Sequence, residues 1–257
     1  MNSELINVSN WFKANKLSLN INKTNFIIFH PYQKPIIEIN LKIDNRSISS
    51  VHSTKFLGVI IDQNLNWKSH IHKVANTISK PIGILYKLKS FISRDILLSI
   101  YNSLILPHLF YCSIIWGNAC PTLVNKIHVL QKRASRFICN ASYMQHSAPL
   151  FCDLKILNIF NIFRYQLGIH MYKSIHDLLP SHLSSSFIPV NAVHSHNTRN
   201  SSKLFQHHSY SSKVHKTIQL GGPKLWNSLD PYVVNSNSLS VFKIRLKASL
   251  LKSQSAV

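Results

Sequence analysis

Residues 55–71 read KFLGVIIDQNLNWKSHI, and the spacing of apolar residues changes within this stretch. Lys55–Asp62 is typical of a strand with Gly58 inside it, and a glycine there indicates a bulge or a close backbone approach. After residue 66 the apolar residues instead follow the three-and-four spacing of a helix. The stretch therefore predicts a fold that passes from a sheet to a series of helices.

Upstream of this stretch the sequence predicts one helix and further strands. The helix ends near Asn15, and the run NFIIFH (25–30) predicts a buried strand. Residues 37–43 alternate between apolar and polar side chains, as in a half-buried strand. A turn at Asp44-Asn45 then allows residues 47–51 to return antiparallel.

Downstream, the apolar spacing predicts helices over residues 71–85, 95–104, 123–138 and 156–174. Pro81 interrupts the first of them and is expected to kink or divide it, because proline removes a backbone donor. Pro107 follows the second helix, as is typical beyond a helix end.

The last part of the chain has a different composition. Residues 181–213 are rich in Ser, Asn and His, which predicts a loop or flexible linker. Gly221-Gly222-Pro223 predicts a turn, and Ser240–Lys252 predicts a last helix. With the sheet before the helices, the order of elements predicts an α+β fold.

The charge balance points to a polyanionic partner. The 257 residues include 29 Lys+Arg and 8 Asp+Glu, a formal net charge of +21. Such a surplus repels itself in a compact chain unless phosphates neutralise it, so nucleic acid is the first candidate. An anionic membrane surface and a ribosomal-type assembly are the alternatives. The 45% hydrophobic content argues against wholesale disorder.

The cysteines and histidines form no recognisable metal motif. Cys112, Cys120, Cys139 and Cys152 include no CxxC pair, so free thiols and an intracellular location, cytoplasm or nucleus, are expected. His194, His196 and His207-His208 are interpreted as parts of a polar loop. No secretory leader and no run long enough to span a membrane is recognised, so no membrane partner is expected.

Residues 15–29 read NKLSLNINKTNFIIF. This stretch resembles motif D, which closes the palm in the reverse transcriptases of non-LTR (LINE-type) retrotransposons. The matching lysine is Lys23, and the resemblance implies a catalytic role in which it protonates the leaving pyrophosphate. A solvated lysine ahead of a buried strand is the simpler reading of the local sequence.

Residues 55–71 resemble the family's K-F-L-G-V-x-I-D-x-x-L-x-W-x-x-H-I, which ends the palm and leads into the thumb. In the family this segment helps to grip the primer. The resemblance therefore implies that Lys55 and Gly58 contact nucleic acid, with the glycine allowing the backbone to approach a strand closely.

Two further stretches resemble the helical thumb that holds the template–primer duplex. Residues 100–117 read IYNSLILPHLFYCSIIWG, and residues 130–136 read LQKRASR. The resemblance implies that Lys132, Arg133 and Arg136 bind nucleic acid. Arg133 and Arg136 lie three apart and share one helix face, whereas Lys132 points in another direction. A solvated basic helix is the alternative.

The C-terminal part resembles the tail of jockey-like polymerases. The matching residues are Asn197-Thr198-Arg199, Leu204-Phe205 and GPKLWNSL (222–229). No chemical role is attached to this match. Trp226 is expected to be a packing anchor rather than a surface on which a base stacks.

The resemblance divides the chain into three parts. Residues 1–66 are expected to end the polymerase palm, residues 67–178 to form the helical thumb, and residues 179–257 to form a linker and a basic tail module. The expected α+β fold is thus a remnant of a polymerase palm sheet followed by a helical thumb and a basic mixed tail.

The acidic residues decide what such a chain can do. A polymerase needs paired carboxylates for two metal ions, and none of the eight acidic residues adjoins another. The sequence therefore predicts the C-terminal portion of an RNA-directed DNA polymerase that contributes template–primer binding but lacks the catalytic aspartates.

The expected cofactors and partners follow from that prediction. No cofactor is expected for this chain, and Mg²⁺ is implied only for a complete enzyme. The expected partners are an RNA or DNA template–primer duplex and an upstream reverse-transcriptase segment, not a small molecule. The alternatives are a stand-alone basic nucleic-acid-binding protein and a non-functional transposon remnant.

Overall fold

The computed structural model describes residues 2–31, 39–193, 203–208 and 217–255. The chain divides into two compact units, Met1–His70 and Ile71–Val257. The first contains the described strands named below, and the second is helical. This arrangement agrees with the predicted α+β class.

The first unit begins with a helix and continues with short strands. Helix α1 spans Asn2–Ala14, so it ends where the sequence predicts. The strands are β1 (Asn25–Phe26), β2 (Lys42–Ile43), β3 (Arg46–Ser47), β4 (Ser49–Ser50), β5 (Ser53–Phe56) and β6 (Val59–Asp62). β1 pairs with β4 in parallel, while β2–β3 and β5–β6 are antiparallel. The predicted antiparallel return after Asp44-Asn45 is confirmed at Arg46–Ser47, whereas Ser49 and Ser50 pair in parallel with β1.

The predicted strand at residues 25–30 is shorter and less buried than expected. Only Asn25 and Phe26 pair, because β4 offers a partner of just two residues. Phe29 has 56% of its surface exposed. For the strand predicted at 37–43, Ile37 and Glu38 lie outside the described residues, and the described part is a strand only at Lys42–Ile43.

Gly58 lies in a hairpin turn, so the prediction of one strand with an internal bulge was wrong. β5 and β6 pair from Ser53–Asp62 to Phe56–Val59, leaving Leu57 and Gly58 as the turn. Their φ angles are 43° and 84°. Positive φ at both positions is typical of a type I′ hairpin turn, and glycine adopts it without steric cost.

The second unit is built from helices. These are α2 (Lys68–Leu88), which begins in the first unit, then α3 (Arg94–Leu104), α4 (Leu106–Phe110), α5 (Ser113–Trp116), α6 (Pro121–Ile138), α7 (Ser147–Asp153), α8 (Ile159–Ile175), α9 (Ser181–Ser184), α10 (Val190–Val193), α11 (Ile218–Asn227), α12 (Pro231–Val234) and α13 (Leu239–Ser255). The helices predicted near 95–104, 123–138, 156–174 and 240–252 are confirmed.

Pro81 does not divide α2, which continues unbroken to Leu88. Ile78, Ile82 and Leu85 are buried on the same helix. A proline inside a helix costs about 3 kcal/mol, whereas burying each large aliphatic side chain contributes roughly 1.5–3 kcal/mol. Packing of the buried face therefore keeps the helix continuous.

Gly221-Gly222-Pro223 lies inside α11, so the predicted turn was wrong. A Cβ on Gly222 would collide with the Met171 sulfur on α8. Gly168 is a second glycine at a close approach, since a Cβ there would lie 2.6 Å from Leu246 Cδ2 on α13. Tertiary packing uses these glycines to bring α11 and α13 close to α8, and this overrides their weak helix propensity.

The predicted linker at 181–213 is only partly irregular. Its described residues include α9 and α10, and a β-bridge joins Pro189 to Leu204. Residues 194–202 and 209–213 lie outside the described part of the chain.

The tail packs into the same unit as the predicted thumb. Tyr172 on α8 lies 4.5 Å from Phe242 on α13, and Phe242 lies 5.7 Å from Trp226 on α11, measured between ring centroids. Trp226 is 8% exposed, as expected of a packing anchor. The division into palm, thumb and tail stays a prediction.

Candidate nucleic-acid interface

Lys23 lies at the end of a 3-10 turn, Ile21–Lys23, just before β1. The Asn20 side chain caps this turn by accepting a hydrogen bond from the Lys23 backbone N–H at 3.2 Å. The turn is separate from α1, and the lysine side chain is exposed. The local structure therefore agrees with a lysine placed ahead of a strand, and its catalytic role stays a prediction.

Lys55 and Gly58 both lie on the β5–β6 hairpin. Lys55 is in strand β5, two residues before the Leu57-Gly58 turn, and Gly58 is the second residue of that turn. Lys55 is exposed and pairs with Ile60. The apolar side chains at the tip are also exposed, Phe56 at 61% and Leu57 at 73%. The hairpin thus presents one cation and two apolar side chains to its surroundings.

Helix α6 carries the other three predicted residues and is anchored by Gln131, which is fully buried. The Gln131 amide donates to the Tyr101 hydroxyl at 3.0 Å and to the Leu157 carbonyl at 3.3 Å. Its side-chain oxygen accepts from the Ile159 backbone N–H at 2.7 Å. These bonds tie α6 to α3 and to the start of α8, and they define which face of α6 points outward.

The three predicted cations separate into two groups, as the helix spacing predicts. Lys132 is half-buried beside a cavity of about 370 Å³, which Arg164 also lines. Arg133 and Arg136 line a different cavity, of about 400 Å³. Neighbouring positions on a helix point in directions about 100° apart, which agrees with Lys132 and Arg133 lining different cavities.

Aromatic side chains border the second cavity. Lys89, just after α2, places its Nζ 5.4 Å from the Tyr86 ring centroid and 5.7 Å from that of Phe137. The Arg136 guanidinium lies 5.9 Å from the Tyr143 ring. We call this cavity the aromatic–basic pocket. It is lined by Tyr86, Lys89, Arg133, Arg136, Phe137, Ala141 and Tyr143.

The loop after α6 is held against the helix. Arg136 Nε donates to the Gln145 carbonyl at 3.0 Å, and the Ala141 N–H donates to the Arg136 carbonyl at 2.9 Å. Tyr143 therefore stands at the edge of the pocket, although 76% of its surface is exposed. Sequence reasoning missed Tyr86, Lys89 and Tyr143, because no local pattern links residues so far apart.

The cavity beside Lys132 contains an unusual histidine. His128 stacks on Phe151 with ring centroids 5.9 Å apart. Burial, followed by the charge of Lys132, lowers the pKa of His128 to about 4. The imidazole is therefore neutral at pH 7, and the positive charge of this cavity comes from Lys132 and Arg164.

Carboxylates neutralise few of these cations. Within the described residues the ion pairs are Lys13–Asp44 and Arg94–Asp153. Lys132, Arg133 and Arg136 belong to neither pair. A helix with this much uncompensated charge suits phosphate groups, because binding to them releases the counterions condensed on nucleic acid.

The described part of the chain lacks two other kinds of site. It brings together no group of three or more histidine, cysteine and acidic side chains that could hold a metal ion. His194 and His196 lie outside that part. None of its helices combines the length and apolar character that crossing a bilayer requires.

Comparison with known proteins finds similarity to RNA-directed DNA polymerases. The chain is 33% identical over 147 residues to the RNA-directed DNA polymerase from mobile element jockey of Drosophila funebris, covering 56% of this chain and 15% of that protein. It is 24% identical over 177 residues to the probable RNA-directed DNA polymerase from transposon X-element of Drosophila melanogaster, covering 68% and 19% respectively.

A third relative agrees with the first two. The jockey polymerase of Drosophila melanogaster is 26% identical over 119 residues, covering 45% of this chain and 13% of that protein. No family model and no solved structure matches. The matches confirm the predicted resemblance to non-LTR retrotransposon RNA-directed DNA polymerases, and the chain spans less than a fifth of the length of these relatives.

Proposed function

We propose that this chain is the template–primer-binding portion of an RNA-directed DNA polymerase of a non-LTR retrotransposon. Its α6 helix contacts the phosphate backbone of a duplex through Lys132, Arg133 and Arg136. The observation that supports this most directly is the uncompensated positive charge on a helix whose inner face is anchored by Gln131. The similarity to polymerases supplies the class of ligand.

Two other surfaces belong to the proposal. Lys55 and Gly58 on the β5–β6 hairpin approach the primer strand, and Lys23 acts near the pyrophosphate in a complete polymerase. The exposed Lys55 and the lack of a side chain on Gly58 in the hairpin turn support a close backbone approach. Cytoplasm or nucleus is the proposed location, where such a ligand is found.

Binding should respond strongly to salt. If six or more phosphates are neutralised, the logarithm of the association constant should fall against the logarithm of salt with a slope of roughly −5 or steeper. An anisotropy titration with an RNA–DNA hybrid across salt concentrations measures this slope. A near-zero slope would remove nucleic acid as the ligand.

A triple variant tests the helix. Replacing Lys132, Arg133 and Arg136 with alanine should make the slope shallower by about one unit for each residue that touches phosphate. The matched control replaces Lys42, Arg46 and Lys80, three exposed cations that carry no predicted role. Equal slopes for the two variants would mean that α6 is a solvated basic helix and that the binding surface lies elsewhere.

We propose further that the chain does not polymerise DNA by itself, since none of its acidic residues adjoins another. A primer-extension assay with Mg²⁺ or Mn²⁺ checks this, and template-dependent synthesis above background would contradict it. Salt-dependent binding without synthesis is also what a stand-alone nucleic-acid-binding protein would show. Joining the chain to the upstream part of a related polymerase separates the two, because only the polymerase portion would support extension.

A further inference from the structure

We infer that the aromatic–basic pocket binds an unpaired nucleotide, with its base against the tyrosine rings and its phosphate against the cations. This inference rests on the proposed nucleic-acid-binding function and assigns a single-stranded ligand to one part of that surface. Arg133 and Arg136 then contact phosphate both in the duplex and next to the unpaired base, and the duplex remains the ligand of the surfaces outside the pocket.

The size and shape of the pocket fit a small ligand rather than a helix of nucleic acid. Its volume is about 400 Å³, within the range of about 300–1,000 Å³ that is usual for small-ligand sites. A paired and stacked base in a duplex cannot enter such a pocket, because its faces are covered by its neighbours. A nucleotide at a strand end, bulge or loop can enter it, because its base is not covered on both faces.

The aromatic rings supply the surface that a base requires. Tyr86 is 57% exposed and Tyr143 is 76% exposed. Large aromatic side chains left this open, beside cations, are typical of sites where bases of single strands stack. The Phe137 ring on α6 packs against Tyr86 at an angle of 56°, with ring centroids 5.2 Å apart. Tyr86 therefore has a ring packed against it while part of its surface stays open.

The cations supply the complementary charge. Lys89 lies near both the Tyr86 and the Phe137 rings, and Arg136 lies near the Tyr143 ring. Arg133 lines the same pocket. No acidic side chain lines it, and none of the three cations joins an ion pair within the described residues. The cations of the pocket thus match the charge of a phosphate, and the rings beside them match the flat shape of the neighbouring base.

The test compares single-stranded with duplex binding. Tyr86→Leu and Tyr143→Leu remove a ring but no charge, while Tyr86→Phe and Tyr143→Phe keep the ring and serve as matched controls. Loss of one stacking ring should weaken binding of an eight-nucleotide single-stranded RNA by about fivefold to a hundredfold. The phenylalanine controls should stay within about twofold of the wild type, and duplex affinity and salt slope should not change.

The outcomes separate this inference from the proposed function. Leucine variants that bind the single strand as tightly as the wild type would overturn the pocket while leaving salt-dependent duplex binding intact. An equal loss for single strand and duplex would overturn its preference for unpaired nucleotides. A wild-type chain that binds neither would overturn both proposals.

Photocrosslinking tests the pocket without any substitution. A single-stranded RNA that carries 5-iodouridine forms covalent links with aromatic side chains stacked on the modified base. Irradiation of its complex with the full chain, followed by peptide mapping, should place the link at Tyr86 or Tyr143. Crosslinks confined to other parts of the chain would overturn the inference even if a leucine variant failed to fold.

Discussion

The two units of this protein are stabilised in different ways. Among the described residues, the first unit buries three hydrophobic side chains, Ile43, Ile48 and Val59, whereas the second buries thirty-two. Burial of apolar surface is the main favourable term in folding. The second unit therefore has by far the larger hydrophobic core, and the first relies more on polar contacts.

Those polar contacts centre on two aspartates. Asp44 accepts hydrogen bonds from Ser9 at 2.9 Å and from Lys13 at 3.0 Å, joining α1 to the β2–β3 turn. These partners, Lys13 first, hold the pKa of Asp44 below its ordinary value. Asp62 accepts from the backbone N–H groups of Asn64 and Trp67, both at 3.0 Å. Hydrogen bonds that are exposed or only partly buried, as these are, contribute less than a buried core.

The contrast is tested most severely by one core truncation in each unit. Phe242→Ala should destabilise the helical unit by about 3–5 kcal/mol, because the fully buried ring leaves a cavity between α8 and α13. Val59→Ala should leave the unfolding of that unit unchanged, since Val59 lies in the first unit. Urea unfolding followed by circular dichroism at a helix-sensitive wavelength measures both. Similar losses of helical stability would show that the units do not unfold separately.

Replacing Gln131, which anchors α6, should have the next largest effect on the stability of the helical unit. Gln131→Leu should cost about 2–3 kcal/mol, because it leaves the Ile159 N–H and the Leu157 carbonyl without their side-chain partner. Gln145→Leu is the matched control, since its exposed side chain should change stability by no more than about 0.5 kcal/mol. If the same urea measurement gave equal values for both variants, the polar anchor would not be what secures the basic helix.

The helical unit should also lose stability in mild acid. The pKa of His128 is lowered from 6.5 to about 4, so between these pH values only the unfolded chain holds the proton. The stability that the neutral ring contributes is complete above pH 6.5 and is lost as the pH falls toward 4, by roughly 1–2 kcal/mol. His128→Phe should reduce this loss when unfolding is compared at pH 7 and pH 4.5. If the variant lost as much stability in acid as the wild type, the loss would be due to groups other than His128.

The most local expected change concerns the first unit alone. Gly58→Ala places a Cβ on a residue with a φ of 84°, which should cost about 1–2 kcal/mol. Amide hydrogen exchange measured by mass spectrometry should then speed up within residues 53–62 but not in α6 or α8. Faster exchange throughout the helical unit would contradict the difference between the two units.

Part of the candidate site was accessible from the sequence. The basic segment LQKRASR was recognised as a helix, and its three-residue spacing correctly separated Lys132 from Arg133 and Arg136. The role of Gln131 was not recognised, although it stands between Leu130 and Lys132. A glutamine in a basic helix ordinarily faces solvent. Gln131 is buried because the tertiary fold packs Tyr101 and Ile159 against it, and both form hydrogen bonds with its side chain.

The sequence by itself determined the order of sheet and helices, the helix ends near Asn15 and Leu104, the large positive charge and the resemblance to a polymerase. These features depend on the period and chemistry of each segment alone. Tertiary structure decided that Gly222 and Pro223 continue a helix and that Tyr86, Arg136 and Tyr143 border one pocket. The reason is physical: close approach between distant helices depends on how their surfaces fit, and no local pattern records that fit.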